Sequence, residues 1–129
     1  MSLLFARESD TRPLTDAELR EAVFAALGRL GPRHKVLLLP PDFTRFHSRA
    51  GLIAHAAWEY YGDRVAAVLP ALGTHRPMTQ GEIATMFGAI PHGLFRVHDW
   101  RNDLRVLGEV PAELIRELSE GELDFSWPV

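Results

Sequence analysis

The sequence predicts an α/β fold, a parallel β-sheet with helices on both faces in a Rossmann-like three-layer arrangement. Three observations predict it. Short apolar stretches alternate with amphipathic stretches of helical length; the first apolar stretch lacks the polar alternation of a half-buried strand; and the helical stretches open and close on recognisable cap residues. A parallel sheet of this kind takes right-handed crossovers, so its helices lie on its faces.

The first helix opens on Leu14, Thr15 and Glu18, an apolar staple with a Thr-x-x-Glu capping box, and then places Leu19, Val23, Ala26, Leu27 and Leu30 on one face. Gly31 and Pro32 stop it. Lys35 to Pro40 reads as a strand buried on both faces, because Val36 to Leu39 is uniformly apolar and two prolines end it. A second helix, about Arg49 to Tyr61, is expected to bury Leu52, Ile53, Ala56, Ala57 and Tyr60 and to close at Gly62. Arg64 to Leu69 is the second strand. The Thr79-x-x-Glu82 box starts a third helix with Ile83, Met86 and Phe87 inward and Gly88 as its cap. Leu94 to Val97 is the third strand. A short segment around Leu104 to Leu107 follows, then a helix with Pro111 at its first position and Gly121 past its end, and a last strand over Leu123 to Trp127.

The 129 residues suffice for one compact domain with a core, at 47% apolar and 24% charged residues. A formal charge of -3 lacks the basic excess that draws a fold onto nucleic acid or an anionic membrane, so neither is expected as a partner. The absence of cysteine removes disulfides, thiolate metal sites and thiol nucleophiles, and suits a cytoplasmic protein. The longest apolar run, Val36 to Pro41, falls far short of the roughly 20 residues of a membrane span, and Met1-Ser2-Leu3 carries no basic region of a secretory leader. No internal repeat stands out. The apolar ending Trp127-Pro128-Val129 suggests that residues 1–129 are the amino-terminal part of a larger two-domain protein.

In an open parallel sheet, ligands bind beyond the carboxyl ends of the strands, so the residues following each strand carry the information. The first strand delivers Asp42-Phe43-Thr44-Arg45, the second Gly73-Thr74-His75-Arg76-Pro77, the third His98-Asp99-Trp100-Arg101. Asp42 and Thr44 have ordinary turn and capping roles open to them, and Arg45 and Arg76 the role of solvated charges. Together they make a different chemistry available: a histidine acting as acid or base near neutral pH, a carboxylate to orient its ring, and arginines to hold an anion. This suits a small carboxylate. The glycine-rich phosphate loop, the G-x-S-x-G elbow and the H-E-x-x-H pair are all missing. His34, His47, His55 and His92 read as structural or exposed.

These loops resemble those of the lactate racemase family, the 2-hydroxy acid racemases and epimerases that use a nickel-pincer nucleotide. The likeness rests on Asp42-x-Thr44-Arg45, on Ala71-Leu72-Gly73-Thr74-His75-Arg76-Pro77-Met78-Thr79 with Glu82-Ile83, and on His98-Asp99-Trp100. It implies an isomerase that takes a hydride from the substrate carbon onto the cofactor, while two histidines move the hydroxyl proton. His75 matches one of that pair; Asp42 and Arg45 match residues that orient the site and hold the substrate carboxylate or the cofactor. Thr44, Thr74, Arg76, His98 and Asp99 are the further candidates for substrate or cofactor binding. The family's covalent lysine, nickel-binding histidine and second proton-transfer histidine have no counterpart here. The chain alone is therefore expected to be inactive, without bound metal or cofactor. Phe46 stands where the family usually has proline, and either lines a larger pocket or packs against the second helix. Two other readings compete: a non-catalytic α/β module binding a nucleotide or phosphate at the same edge, and a hydrolytic metal site of His75, His98 and Asp99.

Overall fold

The computed structural model describes Phe5, Ala6, Glu8 and residues 11–129; the leader reading at Met1-Ser2-Leu3 lies outside them. The chain forms two compact units, the first ending at His98 and the second covering Asp99–Val129.

In the first unit, helix α1 spans Asp16–Arg29, strand β1 Val36–Leu38, helix α2 Ala50–Tyr61, strand β2 Val65–Val68 and helix α3 Gln80–Phe87. The chain is thus α/β. Thr15 and Thr79 each accept from the backbone N–H three residues on, while Glu18 and Glu82 accept from the Thr backbone N–H in return. Both capping boxes read from the sequence therefore form. β1 and β2 pair in parallel, with Val36 opposite Val65 and Leu38 opposite Val68. The ladder runs on through the prolines: Leu69 N–H donates to the Leu38 carbonyl and Ala71 N–H to the Pro40 carbonyl, both at 2.8 Å. Proline lacks a donor but keeps its acceptor, so Pro40 can end the regular strand without ending the pairing.

The sheet is smaller than the sequence suggests. The expected third strand, Leu94 to Val97, is reduced to a parallel bridge between Val68 and Phe95, with Arg96 N–H on the Val68 carbonyl at 2.8 Å. A 3-10 turn over His92–Leu94 takes the residues that would have extended it. Nor is the expected first strand covered on both faces: Leu37 in β1 is 52% exposed and Leu39, just beyond it, 63%. Helix α2 is rotated from the expected phase. It buries Gly51, Ala54, Ala56, Ala57 and Tyr61, leaving Ile53 exposed. Close approach explains the rotation, since a Cβ on Gly51 would collide with the Met86 carbonyl oxygen and meet its Cγ at 2.8 Å. Only a face of small residues lets α2 and α3 pack this tightly. Tyr60, expected inward, is half-buried and packs against the core while its ring lies 5.3 Å edge-on from Phe24 of α1. The core gathers Ala54, Tyr61, Val65, Val68, Met86, Phe87 and Ile90.

The second unit holds β3, Glu109–Val110, helix α4, Ala112–Leu118, and β4, Trp127–Pro128. β3 and β4 pair antiparallel, against the expectation of a parallel sheet throughout, and the strand foreseen over Leu123 to Trp127 shrinks to two residues. Pro111 is the N-cap of α4 and not its first residue, while Gly121 takes a φ of 91° past its end. The segment around Leu104 to Leu107 has no regular structure, and none of residues 99–129 is buried. Thirty-odd residues cannot enclose a core of their own. No helix among the described residues is long and apolar enough to cross a membrane.

Candidate functional site

Asp42 follows the last paired residues of β1, and burial makes it unusual: it is 5% exposed, the only buried charged residue among those described. A buried carboxylate must be matched by donors, and it is. Its Oδ1 accepts from the Thr44 backbone N–H at 3.1 Å and the Thr44 hydroxyl at 2.5 Å, and its Oδ2 lies 2.6 Å from His75 Nδ1. Asp42 thereby caps the short helical turn over Phe43–Ser48 while its second oxygen faces the next loop. Burial works to push the Asp42 carboxyl up, but the hydrogen bonds from Thr44 and His75 outweigh it and hold the group below the ordinary aspartate value. An ionised carboxylate only accepts, so Nδ1 of His75 carries the hydrogen.

His75 reaches Asp42 because the loop after β2 turns tightly. Gly73 adopts a φ of 58°, in the left-handed region open to glycine, and His75 N–H closes the turn on the Leu72 carbonyl at 2.9 Å. The His75 side chain is 55% exposed although its Nδ1 is tied down. With Nδ1 engaged, Nε2 is the nitrogen left to meet a ligand.

The dyad opens on a cleft of about 120 Å³, lined by Asp42, Phe43, Thr44, His75, Arg76, Met78 and Glu82. Four expected site residues thus share one concavity: Asp42, Thr44, His75 and Arg76. Arg45, Thr74 and His98 do not line it. Arg45 is exposed on the turn after Asp42. Asp99 belongs to the second unit, where it accepts from the Asn102 side chain at 2.7 Å and the Arg101 backbone N–H at 3.0 Å. Those bonds hold its carboxyl below the usual value and give it a turn-forming role. Phe46 lies tilted against Phe43 and edge-on to His47, with ring centroids at 5.3 and 5.6 Å, and does not line the His75 cleft. Among the described residues no three His, Asp or Glu are grouped to hold a metal ion, so the metal-site reading of His75, His98 and Asp99 gains no support.

Arg76 has a different explanation from His75. Its guanidinium meets both Glu82 oxygens, at 3.0 and 2.6 Å, and the Pro77 carbonyl at 3.1 Å. Arg12 does the same with Glu18 and Pro13, at 2.8, 2.8 and 3.1 Å. The sequences match as well: Arg12-Pro13-Leu14-Thr15-x-x-Glu18-Leu19 and Arg76-Pro77-Met78-Thr79-x-x-Glu82-Ile83 are one helix-opening motif used twice. This short repeat, where the sequence suggested none, shows Arg–Glu clamping at a helix start without a histidine loop. Met78, Phe43 and Glu82 also line the cleft, although the sequence assigned them no site role, and the Arg-to-Glu spacing of the repeat is the signal for Glu82.

The clamp has a pH signature. Arg76 and the Thr79 N–H hold the Glu82 carboxyl at about 2, well below its ordinary 4.5. A lowered folded-state value stabilises the fold above the ordinary carboxylate range, and that contribution is lost as pH falls toward 2. Thermal unfolding at a series of pH values should therefore show wild type above Glu82→Gln at pH 6, with the gap closing by pH 2. A gap independent of pH would deny the carboxylate this role.

No family model and no curated protein matches the chain. Among solved structures, a crystal structure of a protein from Thermotoga maritima is similar to it, with a TM-score of 0.76 and 30% identity over 95% of this chain. The chain covers 30% of that protein, so it spans less than a third of that solved neighbour's length.

Proposed function

We propose that this chain is the amino-terminal part, Rossmann-like in its full sheet, of a 2-hydroxy acid racemase or epimerase similar to the lactate racemase family, and that it supplies one proton-transfer centre. The observation that carries this reading is the bond of 2.6 Å between His75 Nδ1 and the buried Asp42. Racemising a 2-hydroxy acid through its keto form would pass the C2 hydride to the family's pincer cofactor, held by other polypeptide, and the hydroxyl proton to a base, with both returned on reduction. His75 Nε2 takes that proton as one enantiomer is oxidised and returns it when that enantiomer re-forms; a second base, outside this chain, serves the other enantiomer. Asp42 fixes the ring tautomer and stabilises the imidazolium, and Thr44 fixes Asp42 before substrate arrives.

The residues of this chain do not make a place for the family's nickel-pincer nucleotide. Its one lysine, Lys35, precedes β1, at the opposite end of the strand from Asp42, and no metal-holding cluster occurs among the described residues. Under this reading the group is held by other polypeptide, and the chain alone does not turn over. The test is optical: the complete, cofactor-loaded enzyme is incubated with single enantiomers of several 2-hydroxy acids, and the products are resolved on a chiral column. We expect the opposite configuration at C2 to accumulate for at least one acid. Configuration retained throughout, with cofactor loading verified by absorbance, would contradict the proposal.

A further inference from the structure

Beside the His75 cleft lies a second cavity of about 200 Å³, walled mainly by Pro70, Leu72, Met78, Ile83, Phe95 and Val97, with Gln80, His92 and Arg96 also on its lining. It sits where the chain leaves β2 and its bridge to Phe95, at the same carboxyl edge as Asp42. Two residues join it to the dyad. Met78 lines both hollows, and Leu72 lines the second while its carbonyl accepts the His75 N–H. The loop 72–78 thus sends its apolar ends into one cavity and its histidine toward the other.

We infer that this second cavity receives the apolar side chain of the substrate, and that the enzyme prefers 2-hydroxy acids with a branched aliphatic or aryl substituent over lactate. The inference rests on the proposed function, and what it adds is the substrate class. A hydroxyl at Nε2 places the rest of a small acid beside His75, and the adjoining hollow offers mostly carbon walls, with Gln80, His92 and Arg96 among its lining. Leu72 is buried and Ile83 packs on the core, so those walls are held by the fold and are not left to be ordered by a ligand. A single methyl would leave most of 200 Å³ unfilled, whereas an isobutyl or benzyl group would exchange water for apolar contact.

The test uses the 129-residue chain, with the Met78 methyl and the His75 ring followed by NMR during titration with lactate and, separately, with 2-hydroxy-4-methylpentanoate. We expect the branched acid to shift both resonances and to bind on the order of tenfold tighter than lactate, which should shift His75 alone. Val97→Trp, at a 56% exposed position on the cavity wall, should abolish the preference, with the Val68 methyls reporting an intact core. Equal affinities with Met78 unmoved, or a preference that survives Val97→Trp, would overturn the inference while leaving His75 as a binding site. A His75 signal unmoved by either acid would remove the proposed function and this inference together.

Discussion

Replacing His75 with alanine in the complete, loaded enzyme is expected to slow racemisation by about 10²- to 10⁴-fold in kcat while KM changes little. The ring is exposed and its one hydrogen bond is to Asp42, so its loss leaves the core untouched and removes only the group at which the proton rests. Asp42→Asn should impair kcat in the same manner by another route. The amide can still accept from Thr44, but its NH₂ group can donate to Nδ1, which turns the tautomer over and places a hydrogen on Nε2. Asp42 is thus a positioning residue. Its distinguishing mark is a tautomer changed in the free protein together with a fall in kcat. A fully loaded His75→Ala enzyme with wild-type kcat would remove the histidine from the chemistry.

The second large effect concerns stability. Phe87→Ala should cost about 3–5 kcal/mol, a large share of the roughly 5–15 kcal/mol that holds a typical domain together. Phe87 is almost fully buried at the end of α3, its ring 5.2 Å from that of Phe95, in the cluster that joins α2, α3 and β2. Truncation opens a void that the tight α2–α3 contact at Gly51 and Met86 cannot close. Urea unfolding would show a lower midpoint with the slope retained. A loss below about 1 kcal/mol would mean that the core collapses around the gap, contrary to the rigid packing described.

What the sequence disclosed follows from the range of the forces involved. Helix starts are local: Thr15 with Glu18 and Thr79 with Glu82 form the hydrogen bonds their spacing predicts. The placement of Asp42 and His75 was legible for a similar reason, because both follow directly on strands that pair in parallel, and parallel pairing brings successive strand ends to one edge. Tertiary packing was harder to read. Ile53 satisfies a helical apolar pattern as well as Ala54 does, and only the approach of α3 to Gly51 decides which of them turns inward. The apolar run Val36 to Leu39 looks like a strand covered on both faces, yet its pairing partner here is β2 alone and Leu37 and Leu39 remain exposed. Arg76 was ambiguous for a third reason, since an arginine beside a histidine suits both an anion site and a helix-start clamp. The duplicate at Arg12 supplies the missing comparison.

The claim on which the rest depends is that buried Asp42 holds His75 with a hydrogen on Nδ1 and a lone pair on Nε2. Long-range proton–nitrogen NMR correlation on the ¹⁵N-labelled chain, at a pH where the ring is neutral, measures this directly. We expect the His75 ring nitrogens to report a protonated Nδ1 and an unprotonated Nε2, with that assignment lost in Asp42→Asn. A neutral His75 carrying its hydrogen on Nε2, or a tautomer indifferent to Asp42→Asn, would contradict the dyad and the proton transfer assigned to it.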